Sequence, residues 1–265
     1  MSSLVDWMAE RPAFVLFLGL AVVMLVVSLL FTKLSEWAFS GDTRSRTSTS
    51  VTTLVGVVAG LYAVLIAFVI VNEWQAYSSA QATTASESAA LTAAFGSASA
   101  LPEPARTEIE TALVAYDRSV ICDELPFIAT HSGPSEATRK AALDLYQVVA
   151  KNQPAGDSPF YTSLVNSLSD ITSARRNRIN AAVSPLPDLL LIVILATSFA
   201  LIAVVSALDT QHRRWHVALT VGMSLLIALN LTLVIALDRP FAGAASVSDT
   251  PYREGLPPAS LVCGG

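Results

Sequence analysis

Four stretches of this chain carry no Asp, Glu, Lys, Arg or His: Ala13–Phe31, Val51–Val71, Leu189–Leu208 and Val217–Leu237. A bilayer core takes roughly 20 apolar residues to cross as a helix. A helix buried in a soluble core seldom runs that far without a charge. The four windows therefore read as membrane spans. Four tryptophans support the edges, because Trp7, Trp37, Trp74 and Trp215 each lie just outside a window. Indole rings anchor in the headgroup layer, where the ring is buried and its N–H stays wet. The first window is an uncleaved span, since Asp6 and Glu10 oppose Arg11 ahead of it and no small-x-small site follows before Lys33.

Charge separates the remainder. Only 14% of the residues are charged, against 53% hydrophobic, where a soluble domain carries about 25% charged. Sixteen basic and 21 acidic residues give a net charge of −5. With no basic excess, nucleic acid is excluded as a partner. The 117 residues 72–188 hold eight basic and 13 acidic residues, so the whole net charge sits there.

That segment reads as helical. No Gly or Pro interrupts Leu61 to Phe95, so the second span is expected to continue well beyond the membrane. A second helix carries Ile109, Leu113, Tyr116 and Val120 at helical spacing and is expected to stop at Pro126. A third begins near Ser135 and carries Ala141, Leu145 and Val148. A fourth begins with Ser158 as N-cap and Pro159 at the first helical position, with the stripe Tyr161, Leu164, Leu168 and Ile171. The fold expected is all-α: a transmembrane hairpin over 1–71, a helical extramembrane domain over 72–188 inserted between spans two and three, a second hairpin over 189–237, and an irregular tail over 238–265 rich in Pro, Gly and Ser.

No catalytic signature is present: neither G-x-S-x-G, nor a phosphate-binding loop, nor G-x-G-x-x-G, nor H-E-x-x-H. No enzyme activity, cofactor or metal is expected. His212 and His216 stand four apart beside two arginines and suit interfacial anchoring better than metal ligation. Asp123 and Glu124 are adjacent, and neighbours on a helix do not face each other, which disfavours a carboxylate dyad. The spans hold no ionisable group of the kind that proton pumps and voltage sensors use.

The second span has two distinct faces. Gly56, Gly60, Ala63 and Ala67 form a small-residue seam suited to close helix packing. Nearly opposite lie Leu61, Leu65, Phe68, Asn72 and Gln75, apolar within the span and amide-bearing at its edge, the pattern of a pore with a hydrophobic constriction. Arg175, Arg176 and Arg178 form the densest basic cluster, with Arg175 and Arg178 the expected anion vestibule. Cys122 and Cys263 lie on one side of the membrane. They can pair if that side is oxidising and stay reduced if it is cytosolic.

Several short runs resemble an uncharacterised bacterial membrane family described as bestrophin-like. They are Trp74-x-x-Tyr77-x-x-Ala80, Glu87 ahead of Ala89-Ala90-Leu91, Leu101-Pro102-x-Pro104-x-Arg106, Tyr116, Glu124-x-Pro126, Arg175-x-x-Arg178-Ile179, Leu186-Pro187 and Leu237-Asp238-Arg239-Pro240-Phe241-x-Gly243. The chain departs from that family's pattern at Ser88, Leu125 and Asp188. The resemblance implies a four-span protein of the cell (inner) membrane, with the bilayer and further copies of itself as partners. Bestrophins proper are pentameric anion channels whose second span lines the pore and whose middle domain is cytosolic. The expectation is thus a passive channel for small anions, with a non-conducting sensor or scaffold, binding a partner through its acidic helical domain, as the alternative. Flanking cations tie between the two sides, so the resemblance alone places the middle segment and both termini in the cytosol, with Cys122 and Cys263 as free thiols.

Overall fold

The computed structural model describes residues 13–38, 41–131, 133–183, 186–207, 213–242, 245–255 and 263, with backbone only for 36, 38, 41–51, 183 and 213. All regular structure among the described residues is helical. The helices are α1 (Ala13–Ala38), α2 (Gly41–Ser99), α3 (Ala105–Ser119), α4 (Leu125–Thr130), α5 (Glu136–Lys151), α6 (Pro159–Val183), α7 (Asp188–Ser206), α8 (Arg213–Asp238) and α9 (Thr250–Gly255). Four of them are long and apolar enough to cross a bilayer, over Ala13–Ser35, Thr52–Ser99, Asp188–Ser206 and Arg214–Asp238. These contain the four charge-free windows, except for Val51 at the edge of the second and, at the end of the third, Ala207 and Leu208, the latter outside the described residues. Trp37, Trp74 and Trp215 are all exposed, as headgroup anchors need to be; Trp7 falls outside the described residues.

The chain divides into two compact units, residues 1–75 with 186–238, and residues 76–185 with 239–265. In the first, the spans pack through one stripe each. Leu16, Leu20 and Met24 of α1 meet Tyr62, Ile66 and Val69 of α2, Ile194, Leu201 and Ile202 of α7, and Ile227, Leu231 and Val234 of α8. Serines let α1 and α7 approach closely. Ser35 Oγ donates to the carbonyl of Ser206 at 3.2 Å, and Ser206 Oγ to that of Ser28 at 3.5 Å. The outward residues are large and apolar, among them Phe14, Leu29, Phe68, Leu189 and Leu229. Such a surface suits lipid rather than water.

The second unit is ordered differently, with polar faces outside and a core of Leu91 and Ala94 from α2, Ile109, Leu113 and Tyr116 from α3, Leu145 and Val149 from α5, and Leu164, Leu168 and Ile171 from α6. Of the stripes read from the sequence, Ile109, Leu113, Tyr116, Val120, Leu145, Leu164, Leu168 and Ile171 are buried, while Ala141, Val148 and Tyr161 are half-buried at the edge of the core. Ser158 caps α6 as expected, its Oγ accepting from Tyr161 N at 3.3 Å.

Three expectations are corrected. Pro126 does not stop the second helix of this unit. The chain passes from α3 through a π-helical turn, Val120–Glu124, straight into α4. Proline is tolerated because it falls in the first turn of α4, where its missing N–H is not needed. The tail is not merely irregular either. Val247 N donates to the Pro240 carbonyl at 2.7 Å, and α9 inserts Tyr252, fully buried, into the core of the unit. Finally, Cys122 and Cys263 are not free thiols but form a disulfide between residues 141 apart in the chain.

Candidate functional site

Two places in the fold concentrate features that simple packing does not require: the membrane part of α2, and a buried charge cluster in the helical unit.

At 100° per residue, α2 presents three faces about 120° apart. One is buried: Tyr62, Ile66, Val69 and Glu73. The second is the small-residue seam, whose Gly56, Gly60, Ala63 and Ala67 are all exposed. A methyl group added at Gly56 or Gly60 would meet nothing within 4 Å. Among the described residues, the seam therefore packs against no other helix. On the third face Leu61 and Phe68 are 68% and 73% exposed, Leu65 is half-buried, and Asn72 and Gln75 are exposed. Sequence periodicity found the second and third faces but did not show that a separate one holds the helix in its own bundle.

The charge cluster is built by long-range convergence. Glu87 comes from α2, Tyr116 and Asp117 from α3, Glu124 from the π turn, Arg175 and Arg178 from α6, and Tyr252 from α9. Arg178 is fully buried between two carboxylates. Its Nε donates to Glu87 Oε2 at 2.8 Å, and its Nη2 to Glu87 Oε1 at 3.2 Å and Glu124 Oε2 at 3.1 Å. Arg175 grips Glu124 with a two-pronged fork at 2.9 and 2.8 Å. Tyr116 completes the cluster by donating its hydroxyl to Glu87 Oε1 at 2.8 Å. The π turn matters here, because its extra residue rotates the chain so that Glu124 points inward while Asp123 stays exposed.

The electrostatics follow from this enclosure. Burial alone would lower the Arg178 guanidinium, but Glu87 and Glu124 carry it well above its ordinary value. Burial, and then the charge of Glu87, hold the Tyr116 and Tyr252 hydroxyls neutral, well above their usual range. Glu87 and Glu124 balance Arg175 and Arg178. Asp117 is the odd charge. It is 1% exposed, neither of its carboxylate oxygens has a hydrogen-bond partner, and burial with the nearby negative charge of Glu87 pushes it up to about 7.

The vestibule expectation does not fit this geometry. Arg178 has no exposed surface, and Arg175 is 14% exposed and paired. A guanidinium enclosed by carboxylates offers no net positive charge to a passing anion. The exposed cation of that run is Arg176. Sequence reasoning set Asp123-Glu124 aside as a dyad and missed the inward turn of Glu124. The signal was nevertheless there: Glu87, Tyr116, Glu124, Arg175 and Arg178 are all among the residues that carry the family resemblance. His216 lies on the first turn of α8, while its counterpart His212 is outside the described residues. No cluster of metal-ligand side chains occurs among the described residues.

Comparison with known proteins agrees with the architecture. A family model described as Bestrophin-like domain matches residues 18–252. Among solved structures, a bacterial bestrophin homologue from Klebsiella pneumoniae carrying a point substitution is similar at a TM-score of 0.70 and 14% identity, over 91% of this chain and 97% of that one. A structure described as a membrane protein, also a substituted form, is similar at 0.70 and 14%, with the same coverage. At that identity the likeness shows the fold. No curated protein matches the sequence.

Proposed function

Because this chain belongs to the Bestrophin-like domain family, we propose that it is a homo-oligomeric, anion-permeable channel of the cell's inner membrane, with α2 lining the path. One observation carries this reading. Among the described residues, only one of the three faces of α2 is buried, that of Tyr62, Ile66 and Val69. The other two, the seam and the Leu61, Leu65, Phe68, Asn72, Gln75 face, are left exposed apart from half-buried Leu65. In a ring of copies the seam supplies close contact to a neighbouring subunit, and the remaining face turns to the axis. There Leu65 and Phe68, repeated in each subunit, form an apolar collar that opens and closes to ions by wetting and drying. Asn72 and Gln75 add amide dipoles immediately beyond it. Arg175 and Arg178 have no part in the path on this reading; their work is structural.

Purified protein in liposomes tests it. Chloride should pass in preference to sodium, above the rate of empty liposomes. Well-folded protein that passes neither ion, even with the collar opened by Phe68→Ala, sinks the channel reading and leaves a non-conducting scaffold.

A further inference from the structure

The chain has two cysteines in all. They lie 141 residues apart, on the π turn and in the C-terminal segment, and the fold joins them to each other, with a Cα–Cα distance of 5.6 Å. Thiols in a cytosol are kept reduced by glutathione and thioredoxin, so a structural disulfide belongs to an oxidising compartment. The distribution of cations does not oppose this. Orientation is set by Lys and Arg in short loops, while segments longer than about 60 residues cross largely regardless of charge. The two short loops hold Lys33, Arg44, Arg46, Arg213 and Arg214. The other side offers Arg11 and Arg239 near the spans, with Arg175, Arg176 and Arg178 shortly before the third, so the flanking count is level and the disulfide decides.

We infer that the helical unit and both termini face an oxidising, extracytoplasmic compartment, with the two short loops in the cytoplasm, and that the Cys122–Cys263 bond closes the C-terminal arm over the helical unit after export. This reverses the cytosolic placement implied by the resemblance, and it does not rest on the channel reading. The arm has an independent seat. Tyr252 is buried in the core, and Ser88 Oγ donates to the Pro251 carbonyl at 2.6 Å. The bond thus fastens an arm that folding has already placed. The chemistry balances through exchange with a protein disulfide of that compartment: two thiols of this chain lose two protons and two electrons and become one disulfide, and the donor disulfide takes them up as a dithiol.

Two measurements on the full chain decide the matter. The first is non-reducing mass spectrometry on protein trapped with alkylating agent directly from cells, where a peptide linking Cys122 to Cys263 is expected. The second uses a Cys122→Ser, Cys263→Ser background with one new cysteine, Lys140→Cys or, should that variant fold poorly, Asp144→Cys; both positions are exposed on α5. A membrane-impermeant maleimide applied to intact spheroplasts should label either one fully. Labelling only after the membrane is opened overturns the orientation, whatever the state of the cysteines. Outside labelling with alkylated, unlinked Cys122 and Cys263 overturns the closing of the arm.

Discussion

Arg178 and Glu87, 91 residues apart in the chain, meet side by side in the core of the helical unit, Nε to Oε2 at 2.8 Å, with no exposed surface on either side chain. The pair joins α6 to the part of α2 that continues beyond the span. It is not isolated, since Glu124, Arg175 and Tyr116 bond into it. Removing one member therefore strands charge in a place water does not reach.

Arg178→Gln should accordingly cost about 3–5 kcal/mol, the usual cost of breaking a buried pair from one side. Arg175→Gln should cost less, because Glu124 keeps Arg178. Thermal or denaturant unfolding in detergent checks this. A loss below about 1 kcal/mol for Arg178→Gln means the cluster does not hold the unit together.

Asp117 gives a pH prediction. Its carboxyl is raised from 3.8 to about 7 by burial and by Glu87. The folded state therefore binds the extra proton between those values. Stability is greatest below about pH 4 as far as this group is concerned, falls as pH rises toward 7, and is fully lost above it, by about 4 kcal/mol as an upper figure. Asp117→Asn should flatten that slope and raise the melting temperature at pH 8 relative to pH 5. An unchanged pH profile would show that Asp117 is not the titrating group.

Gly60 and Ile66 separate packing within the chain from packing between copies. Gly60 faces open space in the single chain, whereas Ile66 is 6% exposed within the span bundle. Gly60→Leu should leave the folded subunit intact and weaken the oligomer, by on the order of 1 kcal/mol for each pair of helices pushed apart. Ile66→Ala should lower subunit stability. Size-exclusion light scattering read beside thermal melts distinguishes them; identical effects of the two substitutions would show that the seam does not join subunits.

The C-terminal arm should behave as part of the helical core. Tyr252→Ala removes a fully buried aromatic ring and should cost about 3–5 kcal/mol. A side chain at Gly255 would come within 2.8 Å of Thr92 Oγ1, so Gly255→Val should loosen the arm as well. Limited proteolysis checks both through faster cleavage after Asp249. Wild-type resistance in either variant argues against a seated arm.

Phe68→Ala should widen the proposed collar and raise chloride flux in liposomes severalfold. Leu61→Ala, farther along the same face, should change it less. Equal fluxes in wild type and Phe68→Ala would take Phe68 out of the constriction.

The sequence by itself determined the four spans, the all-α class and most of the buried stripes of α3 and α6, because burying a helix face or crossing a bilayer imposes a period or a run length that survives without any partner; on α5 it placed Leu145 but took Val148 where Val149 is buried. It also determined that Gly56 and Gly60 share a face. What it could not determine was which face of α2 its own bundle takes: Tyr62, Ile66 and Val69 compete with two other faces of similar apolarity, and only the positions of α1, α7 and α8 select among them. Likewise, nothing in the sequence joined Glu87 and Glu124 to Arg175 and Arg178, and the arginines read as a vestibule, since charge by itself does not encode a partner 91 residues away. The tail looked irregular because its few apolar side chains find a core only after the rest of the unit has built one. Tertiary structure decided these points, and with them the pairing of Cys122 with Cys263, because each depends on segments far apart in the chain coming together.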